Sequence, residues 1–180
     1  EREPAAVGMS AARLGTIERV VQRGLDAGGY PGASVVVGRK GFAVMSRGFG
    51  SLDWSGKSRV SVQESIYDLA SLTKVICTTT AIMVLYDQGR IDIEAPVSRY
   101  LPDFTGGLRD QVTVRHLLTH RAGLPAGREL WRIASTPAQA RAAVLASPIQ
   151  CTPGNCYEYS DLGADILGFV AEAVSGQTLD

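Results

Sequence analysis

The hydrophobic pattern provides one β-hairpin and then a long stretch with helical periodicity, which sharply narrows the possible folds. Apolar and β-branched residues fill positions 32–37 and 42–49, and the turn Arg39-Lys40-Gly41 separates the two runs. This arrangement predicts a hairpin. Two strands alone form only a marginal sheet in water, and the rest of the sequence does not obviously supply more. We therefore expect the sheet to be completed by strands from outside this chain.

Apolar residues at helical spacing predict five helices, over residues 10–27, 69–88, 113–120, 137–146 and 160–174. Ser10, Thr113 and Ser160 are suitable N-caps. The helix over residues 69–88 is apolar on more than one face, which predicts that it is buried. Cys77 lies within that helix, so we expect it to behave as a small buried hydrophobe.

Composition argues against two classes of partner. The 180 residues include 18 basic and 18 acidic side chains, so the formal net charge is zero, and no run of like charge stands out. A nucleic-acid or membrane surface is therefore not indicated. No stretch approaches the roughly 20 consecutive apolar residues that a membrane span requires.

Cysteine and histidine spacing leaves a disulfide open and disfavours a metal. Cys151 and Cys156 bracket the turn sequence Thr152-Pro153-Gly154-Asn155, which can bring the two sulfurs within bridging range. Two free thiols, the usual state in the cytosol, are the alternative. His116 and His120 have helical spacing, but no H-E-x-x-H glutamate or third ligand accompanies them. We therefore predict structural histidines and no metal.

The segment Ser71-Leu72-Thr73-Lys74 places a serine and a lysine one helical turn apart, on the same face. A serine hydroxyl is a weak nucleophile until a nearby base takes its proton. A lysine in a desolvated pocket can have its pKa lowered enough to help. The spacing is also compatible with a serine near a helix cap and a solvated lysine. However, the chain has three lysines and fifteen arginines, so a lysine in an apolar helix favours the chemistry of an amine.

Tyr159 is the candidate partner of this pair. A neighbouring ammonium favours the phenolate form of a tyrosine, which makes Tyr159 a candidate base. A tyrosine before a helix cap is also common as a core aromatic residue.

Taken together and in order, these segments resemble the class C β-lactamase-like group of the serine β-lactamase and penicillin-binding-protein superfamily. The resemblance rests on residues 66–74, 87–93, 96–102, 112–125 and 153–163, which include the S-x-x-K segment and a Y-x-N-like motif. Their combination and order make the resemblance specific.

The resemblance implies an α/β (α+β) fold in which a sheet flanked by helices accompanies a mostly helical region. Residues 1–66 then supply the first helix and hairpin, and residues 67–180 carry the S-x-x-K and Y-x-N-like motifs. The group's third motif, K-T-G or H-x-G on a strand, does not occur after Asp161. We therefore expect that the C-terminal strands and half of the oxyanion hole are missing. The missing portion is expected as a separate chain of the same protein.

By the same resemblance, Ser71 attacks an acyl carbonyl while Lys74 and Tyr159 move its proton, without a cofactor. The expected substrates are small esters, β-lactams or peptides. Asp161 occupies the position where most relatives have an asparagine that contacts a substrate amide. A carboxylate cannot donate that hydrogen bond, which favours an esterase.

Two other functions remain open: a D-amino-acid peptide hydrolase or carboxypeptidase, and a non-catalytic relative that binds penicillin or peptide. The resemblance and the possible disulfide indicate a periplasmic or secreted protein.

Overall fold

The computed structural model describes residues 1–179, so the last residue of the predicted helical region, Asp180, lies outside the described part. Two compact units make up the chain, Glu1–Asp68 and Leu69–Asp180. Across residues 1–179, every helix is too short or too polar to cross a bilayer.

The first unit contains a 3₁₀ turn at Pro4–Val7, helix α1 at Ala11–Asp26, and strands β1 at Gly32–Arg39 and β2 at Phe42–Gly50. Helix α1 begins where the Ser10 hydroxyl accepts a hydrogen bond from a backbone N–H of the first turn, as expected for an N-cap.

The two strands pair antiparallel, and the predicted hairpin is confirmed. Gly32 lies opposite Gly50, and Val36 lies opposite Ser46, with a bulge after Val37. Within the described residues, the sheet consists of these two strands only. The outer edges of such a sheet can accept another strand, although the N–H of Arg2 already donates to the carbonyl of Ala43 on β2.

After a first helical segment that ends with α2 at Thr80–Asp87, the described part of the second unit has four α-helices. They are α3 at Val114–Leu118, α4 at Leu130–Ile133, α5 at Pro137–Leu145 and α6 at Asp161–Ser175. Helices α3, α5 and α6 lie where the sequence predicts them, and α4 is an addition. Two 3₁₀ turns, at Val97–Arg99 and Gly107–Gln111, lie in the segment before α3.

The core of this unit forms around α6. Leu162, Ile166 and Val170 on α6 are all buried, and Leu117 on α3 packs with them. Phe104, in the connecting segment, is completely buried in the same cluster. Burial of this much apolar surface is what fixes the position of α6.

The predicted helix over residues 69–88 is confirmed as helical from Lys74 to Asp87, but its first part has π-helical geometry. A π-helical turn at Lys74–Thr79 precedes α2 at Thr80–Asp87. The Thr79 hydroxyl donates to the carbonyl of Lys74, five residues earlier, at 2.8 Å. Such local widening of a helix is common at functional sites.

The prediction that this helix is buried is wrong for most of its surface within the described residues. Ile82 and Leu85 are buried, because their side of the helix packs against α6. Leu72, Val75, Ile76, Met83, Val84 and Tyr86 are exposed, and so is Cys77. The hydrophobic pattern indicates which faces favour burial, but the second unit supplies a partner for one of them only.

Candidate active site

Ser71 lies just before the helical segment that contains Lys74. The Lys74 ammonium donates a hydrogen bond to the Ser71 hydroxyl, with Nζ 3.0 Å from Oγ. The residue before the serine, Ala70, has a φ of +45°, a conformation that is strained for a residue with a side chain. Strain of this kind is often found where a backbone presents a reactive group.

Tyr159 completes a triangle with these two residues. Its phenol oxygen is hydrogen-bonded by the Ser71 hydroxyl and by the Lys74 ammonium, and these two contacts lower the pKa of Tyr159 below its usual value. The ammonium lies 5.2 Å from the centre of the Tyr159 ring. A tyrosine held this way ionises more readily than a free one, so a larger fraction is phenolate at neutral pH.

Asp161 forms an ion pair with Lys74, and Oδ1 lies 2.7 Å from Nζ. This hydrogen bond raises the pKa of Lys74, although burial opposes it. The expectation that a desolvated pocket lowers the lysine pKa is therefore wrong, because the carboxylate outweighs desolvation. Lys74 is an ammonium at neutral pH.

Asp161 is the first residue of α6, and Ser160 is its N-cap. The Ser160 hydroxyl accepts from the N–H of Gly163 at 3.2 Å and donates to the carbonyl of Pro125 at 2.7 Å. Ser160 is buried. The cap therefore fixes both the start of the helix and the loop that faces it. It also places the Asp161 carboxylate at the helix N-terminus, which favours negative charge.

His120 also contacts the site, although the sequence indicated only a structural role for it. Its ring lies 4.5 Å from the ring of Tyr159, centre to centre, at a tilt of 36°. Its Nδ1 accepts a hydrogen bond from the N–H of Ser160 at 3.1 Å. His116 is one helical turn away on the sequence and contacts the backbone of Thr113 instead.

Asp165 is a second carboxylate that the sequence interpretation missed. It lies one helical turn after Asp161, and burial followed by the charge of Asp161 raises its pKa. Both residues line a cleft of about 510 Å³ beside Lys74. The spacing of four residues between the two aspartates on a helix was the available signal.

Backbone hydrogen bonds hold the loop of His120 against the loop of Tyr159. The N–H of Glu158 donates to the carbonyl of His120 at 3.0 Å, and the N–H of Gly154 donates to that of Arg121 at 2.8 Å. The structure also joins Cys151 to Cys156 in a disulfide, with Cα atoms 6.6 Å apart. These contacts anchor the second loop before Tyr159, and the hydrogen bond from Ser160 to His120 anchors it after Tyr159.

This arrangement combines a hydroxyl, a proton acceptor and a fixed cation, which is the equipment for nucleophilic catalysis. Within residues 1–179, no group of three or more histidine, cysteine or acidic side chains could hold a metal ion.

Known proteins with similar sequences and folds include hydrolases. The beta-lactamase family model matches residues 17–180. A protein of Salmonella agona (strain SL483) named "Putative D-alanyl-D-alanine carboxypeptidase" is 28% identical over 199 residues, covering 98% of this chain and 45% of that protein. Protein flp of Staphylococcus aureus (strain N315) is 28% identical, covering 90% of this chain and 34% of its own length.

Solved structures with a similar fold include two hydrolases. EstCE1, a hydrolase with promiscuous acyltransferase activity, has a TM-score of 0.79 at 29% identity, covering 91% of this chain and 47% of its own. A class C beta-lactamase has a TM-score of 0.79 at 23% identity and is covered over 44% of its length. The fold is therefore β-lactamase/transpeptidase-like, and the chain spans less than half the length of these relatives. The chain belongs to the beta-lactamase family.

Proposed function

We propose that this chain carries the nucleophile and proton-transfer groups of a serine hydrolase that forms an acyl-enzyme at Ser71. The proposal rests on two hydrogen bonds of the Ser71 hydroxyl, one with the Lys74 ammonium at 3.0 Å and one with the Tyr159 phenol. A nucleophile within reach of a base, with a third group to orient that base, is the general arrangement for covalent catalysis.

In the first step, the Tyr159 phenolate takes the proton of the Ser71 hydroxyl as Oγ attacks the acyl carbonyl. The new bond to Oγ pushes the carbonyl electron pair onto oxygen. When that pair returns, the bond to the leaving alkoxide or amine breaks, and Tyr159 donates the proton to the leaving group. Water then repeats the sequence on the acyl-enzyme, releasing the carboxylic acid and restoring the serine.

Tyr159, and not Lys74, is the base in this proposal. The ion pair with Asp161 at 2.7 Å holds Lys74 in its charged form, and an ammonium has no lone pair to accept a proton. The same ammonium lowers the pKa of Tyr159, after the contribution from Ser71. Lys74 thus assists as a fixed positive charge beside the phenolate.

Asp161 makes an ester the preferred substrate class. Its carboxylate is an acceptor only and is already engaged by Lys74, so it is poorly suited to donate to a substrate amide carbonyl. The likeness to EstCE1, whose name describes a hydrolase with acyltransferase activity, supports this preference.

A D-amino-acid peptide hydrolase or carboxypeptidase is the second candidate, and the name of the Salmonella relative favours it. A β-lactam substrate is consistent with the family. A relative that only binds penicillin or peptide would retain the fold without turnover. The reagent that acylates Ser71 separates the first two, and binding without acylation identifies the third.

The relatives are longer than this chain. We propose that a segment equivalent to their unmatched part supplies the remainder of the active site. Such a segment, on the same polypeptide or a separate chain, would add strands to the hairpin and provide the second oxyanion donor beside the backbone N–H of Ser71. Loss of one such donor costs about 10²–10³ in rate. The disulfide between Cys151 and Cys156 supports a periplasmic or secreted location, since structural disulfides persist in oxidising compartments.

Intact mass spectrometry after brief incubation with a p-nitrophenyl ester, a penicillin or a D-alanyl-D-alanine peptide tests the proposal. We expect the mass to increase by the acyl group with the ester, and no increase for Ser71→Ala. The untreated spectrum also shows whether a second polypeptide is present. Binding of penicillin without an adduct or turnover would instead support the non-catalytic relative. An adduct that persists in Ser71→Ala would exclude Ser71 as the nucleophile.

A further inference from the structure

Burial within the described residues does not by itself hold Tyr159 in place. The residue is 44% exposed there, so the packing that fixes most core aromatics is incomplete in this part of the protein. A base must nevertheless stay within hydrogen-bond distance of the proton that it takes, and an error of about 1 Å can cost about 10²-fold in rate. Specific contacts must therefore hold the phenol beside Ser71.

His120 makes those contacts from one side. The N–H of Ser160, the residue after Tyr159, donates to Nδ1 of His120 at 3.1 Å. The N–H of Glu158, the residue before Tyr159, donates to the backbone carbonyl of His120 at 3.0 Å. The His120 ring also lies against the ring of Tyr159. One residue thus restrains the tyrosine at both flanking peptides and at its ring.

We propose that His120 is a positioning residue, which holds Tyr159 as a proton acceptor for Ser71 through the neutral imidazole with its proton on Nε2. This inference rests on the proposed function, because it assigns His120 a task in the same reaction. The tautomer follows from the contact with Ser160, since an Nδ1 that accepts a hydrogen bond carries no proton.

Protonation of His120 would break this arrangement. A proton on Nδ1 would place two donors, the imidazolium and the N–H of Ser160, face to face. The groups that face the ring are the ammonium of Lys74, the carboxylate of Asp161, and the rings of Tyr157 and Tyr159. Burial, and then the charge of Lys74, lower the pKa of His120 and outweigh the opposite effect of Asp161. The imidazole is therefore neutral at neutral pH.

Backbone conformation makes asparagine a suitable replacement. His120 has a φ of +56°, which asparagine tolerates better than most residues do. The side-chain oxygen of asparagine can accept the hydrogen bond from Ser160, and it cannot be protonated in the accessible pH range. His120→Asn therefore keeps the acceptor and removes the titration, whereas His120→Ala removes both.

His116 offers a matched control. Its Nδ1 also accepts a backbone hydrogen bond, from Thr113 at 3.2 Å, and it lies on the same predicted helical segment. It does not contact Tyr159 in the described contacts. His116→Ala should therefore reproduce the loss of a histidine that accepts a backbone hydrogen bond, without the loss of tyrosine positioning.

Two measurements on the protein test the inference. The first is single-turnover acylation of Ser71 by p-nitrophenyl acetate. The second is ultraviolet titration of the Tyr159 phenolate, obtained as the difference between each protein and its counterpart with Tyr159→Phe. The titration does not depend on turnover, so it reports on positioning even without acylation.

We expect His120→Ala to slow acylation by about 10²-fold and to shift the Tyr159 titration towards that of free tyrosine. His120→Asn should restore both, and His116→Ala should change neither per folded molecule. At low pH the wild-type acylation rate should fall more steeply once His120 binds a proton. His120→Asn should lack this additional fall.

The inference is overturned if the Tyr159 titration is the same in wild type and His120→Ala, or if His120→Asn is as impaired as His120→Ala. Failure of the proposed function has a different signature. In that case the Tyr159 titration still depends on His120, but wild type takes up no acyl group at Ser71.

Discussion

The Lys74 ammonium lies 2.7 Å from the Asp161 carboxylate, so the lysine beside Ser71 carries its own counter-ion. The Lys74 side chain is 20% exposed, and that of Asp161 is 61% exposed. Because water reaches the carboxylate, the ion pair contributes little to folding stability. Its main consequence is electrostatic: the carboxylate raises the pKa of Lys74 and so favours the ammonium form.

Replacing Asp161 with Asn should move the pH dependence of acylation to lower pH. The carboxylate raises the pKa of Lys74 and also raises that of Tyr159. Its removal lowers both pKa values. The Tyr159 phenolate then forms at lower pH, and the Lys74 ammonium also loses its proton at lower pH. The rising and falling parts of the pH–rate profile therefore both move to lower pH. Acylation of Ser71 by p-nitrophenyl acetate, measured across pH, checks this.

Asp165→Asn is the matched control, because Asp165 lies one turn further along α6. The described contacts include no hydrogen bond from Lys74 to this residue, and the shift should be smaller. A shift of the Asp161→Asn profile to higher pH would contradict the assigned charges.

Arginine at position 74 should retain more activity than an uncharged residue. Lys74→Arg keeps a permanent cation beside Tyr159, whereas Lys74→Met removes it. Tyr159→Phe should lower the acylation rate by about 10²–10⁴, the usual contribution of a general base. Single-turnover acylation separates these variants. If Lys74→Arg is as inactive as Lys74→Met while Tyr159→Phe remains active, Lys74 is the base and the proposed mechanism is wrong.

Removing the Ser160 hydroxyl should destabilise the protein more than removing another helix cap. Ser160→Ala loses the N-cap of α6 and leaves the carbonyl of Pro125 without its donor. We expect a loss of about 2–3 kcal/mol in the free energy of unfolding. Thr136 caps α5 through Gln139 at an exposed position, so Thr136→Ala should cost about 1 kcal/mol. Urea denaturation measures both, and equal losses would count against the special role of the buried cap.

Reduction of the disulfide between Cys151 and Cys156 should lower the free energy of unfolding. The two cysteines are five positions apart, and closing so short a loop is worth about 2 kcal/mol in the chain-entropy model. Urea denaturation with and without dithiothreitol tests this. The double variant Cys151→Ser, Cys156→Ser is the control and should not respond to reductant. An unchanged wild-type midpoint would show that the bond does not stabilise the fold.

Local physics made much of the second unit predictable. Helical spacing placed Ser71 and Lys74 on one face, and cap residues such as Thr113 and Ser160 marked the starts of helices. These features depend on residues three or four positions apart. The hairpin was predictable for the same reason, because alternation and a turn sequence are local signals.

Contacts between distant segments were not predictable. His120 and Asp161 lie far along the chain from Lys74, and no spacing rule relates them to it. The long apolar helix shows the same limit: its hydrophobic faces were evident, but which of them α6 covers was not. Cys77 is exposed because it lies on a part of the helix that α6 does not cover.

The sequence by itself determined most of the helices, the hairpin and the residue types available for chemistry, because local structure depends on short-range sterics and hydrogen bonding. The tertiary structure alone decided that Asp161 keeps Lys74 charged and that His120 lies against Tyr159. Electrostatic and packing interactions depend on distance in space, and the packing of α6 against the helical segment of Lys74 sets those distances.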